Sequence, residues 1–407
     1  MDRVIVVGGG ASGVVAAIFA KREDNEVIIL EKNKECLKKI LVTGNGKCNY
    51  LNELYNKKFY NSENMEFIDE IITSKNILKV KDFFDDLGIV SKIKNGYYYP
   101  FSNQAVTIKN ALIKRAIDLG VKIINNVEVK EISKDKDLFK VVTSEKNYTC
   151  SKLVIATGSY AMPKSGSTGD GYKFMESFGI EIVPVVPALV QLIGDFKYQK
   201  EWTGIRSDVR LSLFEDDKFI LEEEGEIQLT DYGISGICTF NLSQVVSRGL
   251  FNGKKEVIKI NFLPFVEDLV TNWLIDYSLK HKGYTIRELL EGILNYKLVE
   301  ILLKYNKINP NKDFFSLTKE EKYSLIKSLR GLEIKITGTK GFDSCQVCNG
   351  GVKLTEINPK TMECLKVKGL YVTGELLDIT GNCGGYNLTN CWISGMLAGM
   401  SIGEVND

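Results

Sequence analysis

Histidine is nearly missing from this chain: 407 residues carry one, His281. That scarcity nearly excludes His-dependent triads and multi-histidine metal sites as its chemistry. His281 lies in "LIDYSLKHKGY" and reads as a solvated residue at a helix end. Net charge is missing too, since 53 Lys and Arg face 52 Asp and Glu. That balance leaves no electrostatic footprint for nucleic acid and no polybasic patch for a membrane surface. No apolar run approaches the roughly 18 residues of a membrane span. The chain enters an apolar strand at once in "DRVIVVGGG", which leaves no space for a signal peptide. Nine cysteines, an odd number scattered over the length, do not read as a disulfide framework. The expectation is a cytoplasmic protein with a small-molecule substrate, no nucleic-acid or membrane partner and no obligate protein partner.

What is present is an ordinary globular composition, 44% hydrophobic and 26% charged, in a chain long enough for two or three domains. "RVIVVGGGASGVVAAIFAKREDNEVIILEKN" reads as a strand, a helix and a second strand. Gly8, Gly10 and Gly13 form G-x-G-x-x-G: the first for a tight turn, the second for approach of a pyrophosphate, the third for close helix–strand packing. The helix start offers free N–H groups and a positive dipole end to phosphate. Glu31 ends the second strand, where a carboxylate grips ribose hydroxyls. An acid there disfavours a 2′-phosphate, and so NADP, at this site.

Later segments extend the reading from a dinucleotide to FAD. "KKILVTGNGKCNYLN" is a second nest of backbone donors, and "KLVIATGSYAMPKSGSTGDGY" is a strand ending in Ala156-Thr157-Gly158. "GLYVTGELLDITGNCGGYNLTNCWISGMLAG" holds a strand, Gly374-Glu375, Asp378, and Gly384-Gly385 before a helix. Such a helix start suits the electron-rich pyrimidine edge of a flavin, and Asp378 suits ribityl hydroxyls.

With "YPFSNQA", "PALVQL", "LTDYGISG" and "GGVKLTEINPKTME", these stretches run in order from residue 4 to about 399. In them the chain resembles the aminoacetone-oxidase-like FAD-binding flavoproteins, a family that includes flavin reductases of bile-acid enones. Fingerprint and resemblance together assign to non-covalent FAD the residues Gly8, Gly10, Ala11, Ser12, Gly13, Glu31 and Lys32. They add Lys39, Thr43, Gly44, Gly46, Lys47, Cys48 and Asn49 of the second nest, Val129, and Ala156, Thr157 and Gly158. Gly374, Glu375, Asp378, Gly384, Gly385, Tyr386 and Asn387 complete the set. The family's Gly-Gly-Arg is here Asn45-Gly46-Lys47. Lys is a point charge without the planar fork of Arg.

The fold class expected is α/β: a glutathione-reductase-like Rossmann FAD-binding domain with an inserted β-barrel-like plus helical domain. The FAD domain takes residues 1–187 and 340–407, and the insertion 188–339 is expected to cap the substrate. Its β part spans 188–263, with Val209, Leu211 and Leu213 alternating and Asp216-Asp217 as a turn. Its helical part spans 264–330, with Thr318 and Glu321 as a capping box. Residues 50–95 read as polar and helical. "VKIINNVEVKEISKDKDLFKVVTSEKNYTC" reads as a β-meander.

Chemistry-bearing side chains are few. Cys345 and Cys348 form C-x-x-C, which is either a redox dithiol, half a zinc site, or two packed thiols. Cys48, the tyrosines Tyr97–Tyr99 (Tyr99 foremost), Arg206 and Tyr386 are candidate catalytic groups, each with an ordinary packing or surface alternative. There is no second G-x-G-x-x-G after a strand, so NAD(P)H would dock without a Rossmann domain of its own. The expected reaction is reduction of a conjugated enone in a small organic or steroid-like substrate, with NAD(P)H as co-substrate. Amine oxidation, a non-enzymatic flavin redox sensor and an FAD-dependent nucleic-acid modifier are the alternatives.

Overall fold

Apolar strands buried on both faces need a neighbour on each edge, and here they find it in a five-stranded parallel sheet. The computed structural model describes residues 2–403. The sheet order is Leu370–Val372, Lys152–Ile155, Arg3–Val7, Glu26–Leu30, Lys122–Ile124. Val7 stands in register with Leu30 on one side and Ile155 on the other. The strand Leu370–Val372, near the far end of the chain, thus completes the sheet begun by the first strand.

The chain forms two compact units, one drawn from Met1–Pro187 and Cys345–Asp407, the other from Ala188–Ser344. In the first unit, the expected meander is an antiparallel sheet of Val129–Asp135, Leu138–Thr143 and Asn147–Cys150. Residues 50–95 are helical only in part. Helices Met65–Ile71 and Ser74–Asp86 form, but Ser91–Lys94 and Tyr97–Pro100 pair as a hairpin. Its turn is Asn95-Gly96, both at positive φ (52° and 81°), the conformation an Asn-Gly hairpin requires.

In the second unit six strands close a barrel: Leu192–Asp195, Gly233–Ser235, Lys218–Leu229, Arg206–Glu215, Glu256–Asn261 and Leu332–Thr339. Val209, Leu211 and Leu213 all point inward and are fully buried. Asp216 and Asp217 form the two-residue turn at positive φ. Helix Ile237–Phe251 interrupts the β part, which period-two alternation did not indicate. Helix Lys319–Gly331 starts with the capping box: Glu321 N–H donates to Thr318 Oγ1 (3.1 Å), and Thr318 N–H donates to Glu321 Oε2 (2.8 Å). His281 ends helix Val270–Lys280, with Nδ1 2.8 Å from the Tyr277 carbonyl. Among the described residues no helix is long and apolar enough to cross a membrane. Nor does any group of three or more His, Cys, Asp or Glu there suit a metal.

The barrel contains a titrating anomaly. Glu256, 1% exposed, stands directly across from Glu215 on the neighbouring strand. A Cβ on Gly249 would lie 1.7 Å from its Oε1, so the carboxyl fills the space that glycine leaves. Burial first, then the Glu215 carboxylate, push its pKa from 4.5 up to about 7. The folded chain therefore holds this proton more tightly than the unfolded one. The stability it carries is complete below pH 4.5 and is lost as pH rises through about 7. Glu256→Gln should flatten that dependence by on the order of 3 kcal/mol. Urea unfolding of both proteins at pH 5 and pH 8 checks this; equal pH dependence would refute it.

Candidate cofactor-binding site

The first glycine turn is built by contacts only glycine permits. Gly8 has φ 102°, and a Cβ there would sit 2.5 Å from the Ala156 carbonyl oxygen. A Cβ on Gly13 would stand 2.0 Å from the Gly8 carbonyl oxygen. Gly10 is the N-cap of helix Ala11–Ala20 and no side chain caps it. The first-turn amides, from Ala11 on, therefore keep no partner within the helix and face the turn. Ser12 is spoken for: its Oγ accepts from Thr373 Oγ1 at 3.1 Å.

Glu31 lies at the end of its strand, 7% exposed. Oε2 accepts the Gly9 N–H at 2.7 Å, and Oε1 accepts Asn33 N–H and Nδ2–H at 2.8 and 2.7 Å. These bonds fix the carboxylate beside the glycine turn. Lys32 is paired with Asp170 at 2.6 Å on the rim. Val129 begins the meander, whereas the residue bonded to the Glu31 backbone is Val127, whose N–H donates to the Glu31 carbonyl at 3.0 Å.

The second nest is a run of 3-10 turns, Lys39–Gly46, broken by extended Thr43 and left-handed Gly44 and Asn45. Gly46 and Cys48 also take positive φ. Gly44 to Lys47 are exposed, while Cys48 and Asn49 are buried. Burial pushes the Cys48 thiol up to about 12, so it is no thiolate nucleophile at neutral pH. Lys39 reaches across the unit to Glu375, 2.6 Å away. Burial opposes its charge, but the Glu375 carboxylate outweighs that and holds Lys39 above its usual value. Ser159, one residue past Gly158, places Oγ 3.5 Å from the same carboxylate.

The C-terminal segment supplies the remaining wall. Gly374 has φ 73°, and its N–H donates to Ser394 Oγ at 3.0 Å. Asp378, 1% exposed, accepts from Ser62 Oγ (3.2 Å) and from the Glu63 N–H (2.9 Å). Gly384 and Gly385 turn at φ 125° and 91° into helix Tyr386–Gly403. Asn387 clasps Gly381 with two bonds of 2.8 Å. Tyr386 stacks on Phe59 at 4.9 Å. Burial, and then Tyr97, push its phenol up to about 12.

Two oxygens within this cradle, Asn49 Oδ1 and Thr157 Oγ1, are buried and have no hydrogen-bond partner. A buried polar atom left unpaired costs about 1–3 kcal/mol. Thr157 Oγ1 lies against Gly171 and Asn49 Oδ1 against the Gly385 turn, while the uncapped helix start is placed to meet an anion. The residues present fit FAD as expected from the sequence, by which Gly8–Gly13 would hold the phosphates, Glu31 the ribose, and the second nest, Gly158 and Gly384–Tyr386 the flavin end.

Tyr97 and Tyr99, at alternate positions of one strand, share a face. A Cβ on Gly384 would be 2.7 Å from Tyr97 Cε1, and one on Gly44 would be 3.8 Å from Tyr99 Cε1. That face thus looks onto both flavin-end glycine turns. Arg206 belongs to the second unit, where it is paired with Glu226 at 2.6 Å on an exposed strand end. Sequence reading missed Ser159, the Ser62–Glu63 grip on Asp378 and Val127 as site partners.

Two substitutions test the cradle. Gly13→Ala should cost about 1–3 kcal/mol by forcing helix from strand and should lower flavin content in the purified protein. Glu31→Ala should weaken FAD binding roughly tenfold or more while the far-ultraviolet circular dichroism is retained. Unchanged flavin retention in both variants would contradict the assignment.

A family model described as HI0933-like protein Rossmann domain matches residues 2–401. A 3-dehydro-bile acid delta(4,6)-reductase of Clostridium scindens is 37% identical over 408 residues, 99% of this chain and 100% of that protein. A ribosomal RNA dihydrouridine synthase of Escherichia coli is 29% identical over 96% of this chain and 95% of its own. Among solved structures, a quinol-fumarate reductase with menaquinol molecules aligns at TM-score 0.50 and 14% identity, covering 98% of this chain and 70% of that one. That last likeness is one of fold alone. With the fingerprint, the second nest and the C-terminal turn all in place, the chain belongs to the HI0933-like Rossmann family of FAD-binding oxidoreductases.

Proposed function

We propose that this protein reduces a carbon–carbon double bond conjugated to a carbonyl, with FAD as the resident cofactor and NAD(P)H as hydride donor. The observation that carries the reading is the full-length likeness to a 3-dehydro-bile acid delta(4,6)-reductase. The substrate class proposed is therefore an enone of steroid-like or smaller size. FAD, when bound, supplies two-electron transfer to and from carbon.

The chain's own groups favour this chemistry over alcohol or amine oxidation. Its one histidine caps a helix of the second unit. The Cys48 thiol is held protonated. The carboxylates there are already engaged, Glu375 by Lys39 and Asp378 by Ser62 and the Glu63 N–H, while hydrogen-bond donors stand at the flavin end. Burial, and then Tyr97, raise the Tyr99 pKa, so its hydroxyl stays protonated at neutral pH. A neutral phenol donates to a carbonyl oxygen as negative charge grows on it, which is what enone reduction requires. Tyr99 is thus assigned as the donor, with Tyr97 beside it.

A second reading draws on the likeness to a ribosomal RNA dihydrouridine synthase. Uracil also presents a C=C conjugated to a carbonyl, so the bond reduced is of one kind and only the carrier differs. The net charge of +1 gives RNA little to bind. The small-molecule enone is the reading adopted.

Anaerobic addition of NADH or NADPH should bleach the flavin, and a Δ4-3-oxo steroid should then restore its colour. Tyr99→Phe should slow that restoration on the order of a hundredfold with flavin content unchanged. Peroxide formation with amines, together with no bleaching by either nicotinamide, would overturn the proposal. Reoxidation by uridine-containing RNA alone would transfer it to the second reading.

A further inference from the structure

We infer that Cys345 and Cys348 form a redox-active pair that closes to a disulfide and reopens, exchanging two electrons with the FAD of the same unit. The inference rests on FAD binding and not on the identity of the organic substrate. Both cysteines are buried, at 0% and 5% exposure. Residues three apart in an extended strand lie about 10 Å apart with side chains on opposite faces. Here the chain bends at Gln346 before entering the strand Val347–Val352. The bend brings the thiols together, and Cys345 hydrogen-bonds Cys348.

The surroundings connect the pair to the cradle. Ser159 hydrogen-bonds the Cys348 sulfur and also lies 3.5 Å from Glu375, the partner of Lys39. The backbone of Cys348 is anchored as well, its carbonyl accepting from Thr380 Oγ1 at 2.7 Å. Cys348 therefore joins the three segments that form the flavin end: the turn after Ile155, the second nest, and the C-terminal strand–turn. Burial pushes the thiols of Cys36, Cys48 and Cys150 up to about 12. Cys348 moves the other way. The bond from Cys345 lowers it against burial, with Ser159 and Lys39 adding to that and Glu375 opposing. Thiolate character is what disulfide formation needs. A metal role lacks ligands, because no cluster of three or more His, Cys, Asp or Glu exists among the described residues.

The step balances. Two S–H bonds break and one S–S bond forms. The thiols release two protons and two electrons, and oxidised FAD takes up both pairs to become the two-electron-reduced cofactor. Reopening runs the same exchange backwards.

Trypsin provides a direct readout, because cleavage after Lys340 and Lys353 isolates residues 341–353, with both cysteines and no others. The FAD-loaded protein, equilibrated anaerobically in dithiol buffers of graded potential, would be acid-quenched, alkylated while denatured, digested and weighed. The peptide should switch between a doubly alkylated form and an unalkylated form two hydrogens lighter. Dithionite titration of the oxidised holoenzyme should take roughly twice the reducing equivalents per flavin of Cys348→Ser. Cys345→Ala provides the same comparison should Cys348→Ser fold poorly. Doubly alkylated peptide at every potential would overturn the pair. A disulfide that forms while electron uptake per flavin stays equal to the variants' would overturn its exchange with FAD. Failure of the FAD reading itself would show separately, as protein without flavin absorbance whose peptide can still be weighed.

Discussion

Helix Ala11–Ala20 is gripped from two sides by backbone rather than by side chains. On one side Gly13 lies against the carbonyl of Gly8, where a Cβ would sit 2.0 Å away. On the other, Gly395 and Gly399 of helix Tyr386–Gly403 press on the Ser12 and Ala16 carbonyls, where Cβ atoms would sit 2.4 and 2.5 Å away. Residues four apart share one helix face, so these glycines make a groove into which the fingerprint helix settles. That depth of approach sets the height of the helix start over the sheet. The free amides, the turn Gly8–Gly10 and the Glu31 carboxylate that bonds Gly9 all take their places from it.

Fixing that helix also explains why the first unit draws on both ends of the chain. Thr373 and Ser12, 361 residues apart, are hydrogen-bonded at its centre. Strand Leu370–Val372 stands beside Lys152–Ile155, and Glu375 just beyond it holds Lys39. The ion pair is partly buried, so its worth lies less in stability than in orientation. It ties the second nest to the C-terminal turn across what would otherwise be two independent loops. The insertion leaves this arrangement through Pro187 and returns at Cys345.

Features set by neighbours in sequence were legible before the structure. The glycine spacing, Glu31, the meander, the Asp216-Asp217 turn and the Thr318–Glu321 box each need only a few adjacent residues. The Asn95-Gly96 hairpin was equally local, and was obscured by the amphipathic helices preceding it. Helix Ile237–Phe251 is buried on most of its surface, at Cys238, Leu242, Val246 and several small polar residues, so its helical period is blurred. Ser159 and the Ser62–Glu63 contact with Asp378 were illegible for another reason. Their partners lie 216 and more residues away, and short polar residues in loops carry no pattern that points so far.

The glycine face of the last helix also has a meaning for biosynthesis. Chains leave the ribosome from the N-terminus, and domains fold as units once their residues are available. Unit Ala188–Ser344 is continuous and can fold as soon as it emerges. The unit holding the fingerprint cannot, because its sheet lacks an edge strand and its first helix lacks a wall until Gly395 and Gly399 have been made. The fingerprint helix, made early, is therefore completed late, and the flavin cradle comes into existence only once Gly395 and Gly399 have been made.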